Sequence, residues 1–281
     1  MKYSSILTIT SLLLASCGGG GSSTATNNTN ANTTPSLKAF AESWVAMYAS
    51  TALSELLDLQ LTVNTQTTQS SPNPSLQCAN TNGTVSGNYY SNTETFTNCQ
   101  GHQPSTFLYT GVITGKSGTN NSVIPPQSPM RLALTSNNQQ LFTINSADFN
   151  GSKNSGQGFT ILLNSGIANI TAGSASTYNI TQINSSVSFL NNTEALNTGF
   201  NLSVTKDYNA HSPTVTSTVQ LDYFQDIQSG SLSIVSTLGC SPMNVVMTAT
   251  QFTLSCPSGG NTVTYDWTDP VVIQALRNAI Q

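Results

Sequence analysis

From Cys78 onward the chain is a succession of short runs rich in threonine, β-branched and aromatic residues, each broken by Asn, Gly, Ser or Pro. Such runs suit a pleated, half-buried surface, and the residues that break them are those that tight turns select. Met130, Leu132 and Leu134 alternate with polar partners, as do Val219, Leu221 and Tyr223, which gives these strands one dry and one wet face. The pattern predicts about a dozen antiparallel strands over residues 84–267. Among them 141–145, 158–163, 167–172, 177–182 and 186–190 read as separate strands, parted by polar residues.

Two helices frame this region. Leu37, Phe40, Ala41, Trp44, Val45, Tyr48, Ala52, Leu53, Leu56 and Leu57 recur at steps of three and four, with Met47 and Leu59 widening the stripe. This predicts an amphipathic helix over 36–61, started by Pro35 and Ser36 and ended well before Ser71-Pro72-Asn73-Pro74. Near the other end, Thr268-Asp269-Pro270 combines an acidic cap with proline in the first turn and predicts a short helix over 270–280. Val272, Leu276 and Ile280 fall on one stripe of it, which we expect to lie against the sheet.

A helix followed by a long meander can close as a barrel, stack as a sandwich, or curl as a half-barrel around the helix. The first helix is too apolar to sit outside, so the expected fold is mainly β: a large curved antiparallel sheet, half-barrel-like, with the helix in its concave face. The order of elements is loosely similar to that of the periplasmic lipoprotein carriers and outer-membrane lipoprotein receptors, whose half-barrels hold acyl chains. That resemblance implies an apolar ligand between helix and sheet, with Trp44, Tyr48, Leu53 and Leu57 as the residues of a candidate cavity.

The first residues read as an export signal, with Lys2 followed by an apolar run from Ile6 to Ala15 that is too short to span a bilayer. The run ends in Leu14-Ala15-Ser16-Cys17, which resembles the lipobox of bacterial lipoproteins at all four positions. The resemblance implies cleavage before Cys17 and acyl chains on that cysteine. Residues 18–35 are small and polar without apolar periodicity and read as a flexible tether. In such lipoproteins an aspartate after the cysteine favours the inner membrane. Gly18 stands there instead and points to the outer membrane, with the side it faces left open. The expected organisation is a signal peptide over 1–16, a lipidated cysteine and tether over 17–35, and one β-rich domain over 36–281. The hairpin around 95–99, preceded by Gly83-Thr84-Val85, also resembles uncharacterised proteobacterial lipoproteins, which name no activity.

Charged residues are 6% of the chain, against about 25% in average soluble domains, so the wet surface must be built from Asn, Thr, Ser and Gln. Seven Lys plus Arg against eleven acidic residues, with no basic run, leave no footprint for phosphate backbones and exclude nucleic acid as the expected partner. After Cys17, the cysteines Cys78, Cys99, Cys240 and Cys256 allow three pairings. We expect Cys78–Cys99 and Cys240–Cys256, because each pair brackets a short stretch with strand character. A zinc site would want C-x-x-C spacing or nearby histidines, and neither occurs.

Other chemistry-bearing patterns are weak. Gly111 to Ser117 has three residues between its glycines where a phosphate-binding loop needs four, and reads as a strand running into a turn. Asp148, Asn150 and Gly151 suggest the opening of a calcium loop, but no acidic residue closes it and Lys153 sits inside, so a polar turn is expected. His102 and His211 are the two histidines; neither has a nucleophile motif nearby, and His211 with Asp207 reads as a loop contact. Asp222 with Asp226, and Asp266 with Asp269, are candidate carboxylate pairs without a flanking aromatic platform. Asn-x-Ser/Thr triplets such as those at Asn169 and Asn179 are compositional.

The sequence therefore leads to a non-enzymatic envelope lipoprotein without catalytic residues, metal or cofactor, acting as a binding or structural module. Its partners would be the membrane through Cys17 and an apolar ligand or an envelope protein. The alternative is a surface-exposed adhesin or matrix component, suggested by the uncharged Asn/Thr/Ser-rich strands and the long tether.

Overall fold

The structure, a computed structural model, describes residues 34–67, 78, 82–88, 93–100, 107–115, 121–134, 140–156, 158–172, 176–190, 193–206, 209–211, 214–221, 227–257 and 260–280. Helix α1 (Leu37–Thr67) comes first, followed by strands β1 (Thr84–Asn88), β2 (Thr93–Gln100), β3 (Phe107–Gly115), β4 (Asn121–Ile124) and β5 (Met130–Leu134). Four long strands follow: β6 (Gln140–Gly156), β7 (Gly158–Ala172), β8 (Ser176–Leu190) and β9 (Thr193–Lys206). The chain continues through β10 (Asn209–His211), β11 (Thr214–Leu221), β12 (Ile227–Val235), β13 (Met243–Thr248), β14 (Gln251–Ser255) and β15 (Thr262–Asp266), and closes with helix α2 (Pro270–Ile280).

The strands form one antiparallel sheet in which chain neighbours are sheet neighbours, with two departures. β10 pairs with β9 alone, and β4 and β5 share the place between β3 and β6. β5 pairs with the first part of β3 and β4 with its end. Between them the segment 125–129 makes a turn closed by Ser128 N–H donating to the Pro125 carbonyl at 2.9 Å. It passes so close to Gly111, at φ +154°, that a Cβ there would lie 2.7 Å from the Pro129 carbonyl oxygen. Glycine is required at that position both for its backbone and for the space.

The sheet curls into a partial ring, and bulges give it the means. In β2, Thr97 and Asn98 together oppose Thr110, with Asn98 at φ 46° and its N–H donating to Thr110 Oγ1 at 2.9 Å. Register also shifts between Ile144 and Ser146 of β6, between Asn150 and Gly151 facing β7, and between Thr181 and Asn184 of β8. These bulges correct the strand expectation. Asn164-Ser165-Gly166 and Gln182-Ile183-Asn184 look like breaks in the sequence, yet 158–163 joins 167–172 as β7 and 177–182 joins 186–190 as β8. The segment expected to stop at Asn145 likewise continues to Gly156. β4, four residues beside a proline pair, has no counterpart in that expectation.

Helix α1 starts where the sequence places it, with the Ser36 hydroxyl accepting from Ala39 N–H at 3.2 Å and the Ser36 carbonyl accepting from Phe40 N–H. It ends at Thr67 rather than 61. Amphipathicity understates its burial. Between Ala39 and Leu57 every side chain described is buried, including Glu42, Ser43, Ser54 and Glu55, which a single apolar stripe would leave in water. The cause is enclosure: the helix meets β6 to β9 and β12, and α2 packs against it. Its polar groups find partners inside, with Ser43 Oγ donating to the Ala39 carbonyl at 2.7 Å and Tyr109 O–H of β3 donating to Glu55 Oε2 at 2.6 Å. Lys38 Nζ lies 3.9 Å from Glu42 Oε1.

Helix α2 is capped as expected, Asp269 Oδ1 accepting from Val271 N–H at 2.9 Å. It buries Val272, Leu276 and Ala279 chiefly against α1 rather than against the sheet, and Tyr178 O–H of β8 donates to the Ala279 carbonyl. An aromatic cluster joins these parts. Phe40 stacks on Phe252 at 4.4 Å between ring centroids, Trp267 lies 4.6 Å from Phe252, and Trp44 lies 5.5 Å from Trp267. Rings of this size contribute both large apolar burial and specific edge and face contacts.

Both expected disulfides are present, Cys78–Cys99 with Cα atoms 5.1 Å apart and Cys240–Cys256 with Cα atoms 5.8 Å apart. The second ties the ends of the β13–β14 hairpin. Just before it, the start of the described chain crosses the β12–β13 connection: Cys240 N–H donates to the Thr34 carbonyl at 3.1 Å. Gly239, at φ +80°, leaves room for Ser36, whose Cβ would stand 2.8 Å from a Cβ on that glycine. No helix among the described residues is long and apolar enough to cross a membrane.

Candidate ligand cleft

Trp44, Leu53 and Leu57, expected beside a ligand, are buried members of the hydrophobic core, and Trp44 is held by the ring cluster just described. The side chain of Tyr48 lies outside the described residues. A cleft of about 370 Å³ among the described residues lies elsewhere, over β4, β6, β7 and β8 beside the 125–129 turn. That volume is in the range of small-molecule sites.

Register explains how the cleft is built. Ile124, Ala147, Ala168 and Ile180 stand side by side across β4, β6, β7 and β8 and turn inward to the core. The positions beside them therefore face outward, since side chains alternate along a strand. One outward row is Val123, Asp148 and Ile167; the next is Ser146, Asn169 and Asn179. Pro126 adds a wall from the turn, and Ile167 is 53% exposed. The lining is thus mostly apolar with a few polar groups.

Those polar groups are ordered among themselves. Asn145, displaced outward at the β6 bulge, donates through Nδ2 to Asn169 Oδ1 and Thr171 Oγ1, both at 2.7 Å. Asn169 Nδ2 donates in turn to Asn179 Oδ1 at 2.5 Å. Asn169-Ile170-Thr171 and Asn179-Ile180-Thr181 are the same tripeptide used twice, read from sequence as composition, and β7 and β8 bring their asparagines opposite each other. That repetition was the available signal.

The other sequence candidates do not converge. Asp148, Asn150 and Gly151 lie inside β6, not in a turn, because β7 pairs with all three and β4 with the first two. Gly111 to Gly115 ends β3, while Lys116 and Ser117 lie outside the described residues. His211 closes the short strand β10 instead of sitting in a loop. His102, Asp207, Asp222 and Asp226 are outside the described residues. Asp266 ends β15 and Asp269 caps α2. Among the described residues no three His, Cys, Asp or Glu gather as a metal site.

Two side chains are electrostatically perturbed. Glu94 of β2 is 3% exposed, and Oε2 has no hydrogen-bond partner among the described residues. Burial pushes its carboxyl up to about 8. Burial and then the nearby Asp269 carboxylate push the Tyr265 phenol above its ordinary range.

Beyond the cleft, the outward positions of β12 to β15 form a mostly uncharged polar face, to which Asp266 at the end of β15 adds a carboxylate. Ser231, Val246, Thr253 and Thr264 lie in one row, and Ser233, Asn244, Ser255 and Thr262 in the next. Thr253 and Thr264 share a hydroxyl hydrogen bond of 2.9 Å, and Val246 is 57% exposed. No protein-family model, no curated protein and no solved structure matches this chain.

Proposed function

We propose that the chain is a bacterial outer-membrane lipoprotein, acylated at Cys17, whose β domain is a non-enzymatic module that binds a small, mostly apolar ligand. The cleft over β4, β6, β7 and β8 is the observation that carries this reading, with its apolar walls and a few fixed polar groups. It moves the binding place from the helix–sheet interface to the outer face of the sheet. The test is native mass spectrometry of the full chain released from its membrane in mild detergent, followed by organic extraction. A copurifying small molecule that is lost in Ser146→Trp, which fills the cleft from an outward position, supports the reading. A ligand retained by that variant places binding elsewhere. Palmitate labelling that persists in Cys17→Ala would remove the anchor from the proposal.

A second reading, a surface adhesin or matrix component, is favoured by the exposed, mostly uncharged face of β12 to β15. Proteolysis of intact cells separates the two, since a domain facing the periplasm survives it.

A further inference from the structure

We infer that the occupant of this cleft is the chain's own anchor, an acyl chain on Cys17 that lies there while no membrane is at hand; the inference rests on the lipidated Cys17 and the apolar binding site proposed above. The lining suits such a guest. Val123, Pro126 and Ile167 form the walls, and the small side chains of Ala147 and Ala168 lie beneath. The polar groups are largely engaged with the protein itself: Asn169 accepts from Asn145 and donates to Asn179, and Asp148 has an interaction partner of its own. An acyl chain carries no charge and asks for no hydrogen bond, so it leaves those pairings undisturbed. A methylene is close to water in size, and at about 30 Å³ each the cleft of about 370 Å³ holds roughly a dozen chain carbons.

The place where the described chain begins agrees with this occupant. Ile167 adjoins Ala168, which pairs with Ile180; Thr181, the next residue, pairs with Asn201, Asn201 with Thr214, and Thr214 with Val235. The register row of Val123, Asp148 and Ile167 thus continues across β8, β9 and β11 to the end of β12, where Val235 is 49% exposed. The connection after Val235 carries Gly239 and Cys240, over which Thr34 crosses. Thr34 therefore stands at the level of the cleft, four strand spacings from β7 and five from β6, about 19–24 Å along the sheet. Seventeen steps separate Cys17 from Thr34, and residues 18–33 are Gly, Ser, Thr, Asn and Ala only. Chains of that composition and length average about 21–25 Å end to end. A linker whose mean length matches the span presents its cargo at about millimolar effective concentration, under which even a weak site fills. A bilayer or micelle buries the whole acyl chain and so outcompetes the cleft wherever one is present.

The test uses the full chain from cells fed a palmitate analogue with a diazirine near its methyl end, mixed with an equal part of isotope-labelled chain, freed of detergent and irradiated. Crosslinks from Cys17 to peptides holding Val123, Pro126 or Ile167 within one chain support the inference, provided that phosphatidylethanolamine vesicles reduce them about tenfold or more. Two variants should each lower them about fivefold or more. Ile167→Asn makes an exposed wall polar, and deletion of residues 23–32 shortens the tether to a mean of about 13–16 Å without touching the described body. An unchanged thermal midpoint verifies folding in both. Crosslinks that fall elsewhere, that run only between chains, or that persist in either variant overturn the inference. In that event a photoreactive dodecanol that labels the cleft peptides leaves the apolar site standing with a foreign ligand, and one that does not label them overturns the reading beneath as well. Absence of label from Cys17 overturns both the anchor and the inference.

Discussion

Tyr109 of β3 donates its phenolic hydrogen to Glu55 at the centre of α1, at 2.6 Å and out of contact with water. This bond fixes the angular position of a helix whose described side chains between Ala39 and Leu57 are all buried. Removing the hydroxyl in Tyr109→Phe leaves a buried carboxyl short of a donor, which costs about 1–3 kcal/mol. Urea unfolding should show that loss, and Glu55→Gln a smaller one, since an amide oxygen still accepts. Equal stability of Tyr109→Phe and the parent would mean the bond orients nothing.

Glu94 makes stability depend on pH in a direction opposite to that of paired carboxylates. Its folded-state value of about 8 lies above the ordinary 4.5, so the folded chain holds the proton over a window in which the unfolded chain has lost it. The contribution is complete below about pH 4.5 and is lost as pH rises towards 8, at roughly 1 kcal/mol per unit. Denaturation midpoints measured from pH 5 to 8 should fall with rising pH, and Glu94→Gln should flatten the slope. A slope unaltered by that substitution would assign the titration to another group.

Gly111→Ala should destabilise by about 1–3 kcal/mol, because a methyl group there collides with the Pro129 carbonyl and the backbone sits at φ +154°. The same change moves the 125–129 turn, so ligand release from the neighbouring cleft should quicken more than the stability loss alone explains. Thermal unfolding and dissociation rates measured together separate the two effects.

Joint replacement of Cys240 and Cys256 by serine should lower stability by about 3 kcal/mol, the scale expected for opening a loop of 16 residues. The untreated chain should be four hydrogens lighter than its reduced form, as two disulfides require. A chain of full reduced mass from an oxidising compartment would contradict both bridges.

Much of this fold was legible locally, and the misses share a cause. Ser36, Asp269 and Pro270 announced their caps because a cap acts within three residues of itself. The cysteine pairs were readable because each closes one hairpin. The length of β6, β7 and β8 was not, because Asn164, Ser165 and Gln182 are residues of turns in sequence and of bulges in the structure. Whether a polar break turns the chain or bends a strand is decided by the neighbouring strands, which the sequence does not order. The cleft was hidden for the same reason: Asp148, Asn169 and Asn179 meet only through pairing across three strands. Glu42 and Glu55 are buried because the sheet and α2 enclose the helix around them, which the sequence of the helix alone does not specify.

The crossing of Thr34 over Gly239 and Cys240 has a mechanical consequence. A pull on Thr34 runs along the backbone into α1 and is shared, through the Thr34 carbonyl, with the Cys240 amide, which the bridge to Cys256 couples to the end of β14. Drag on the domain would thus be divided between the first turn of α1 and the bridged β13–β14 hairpin.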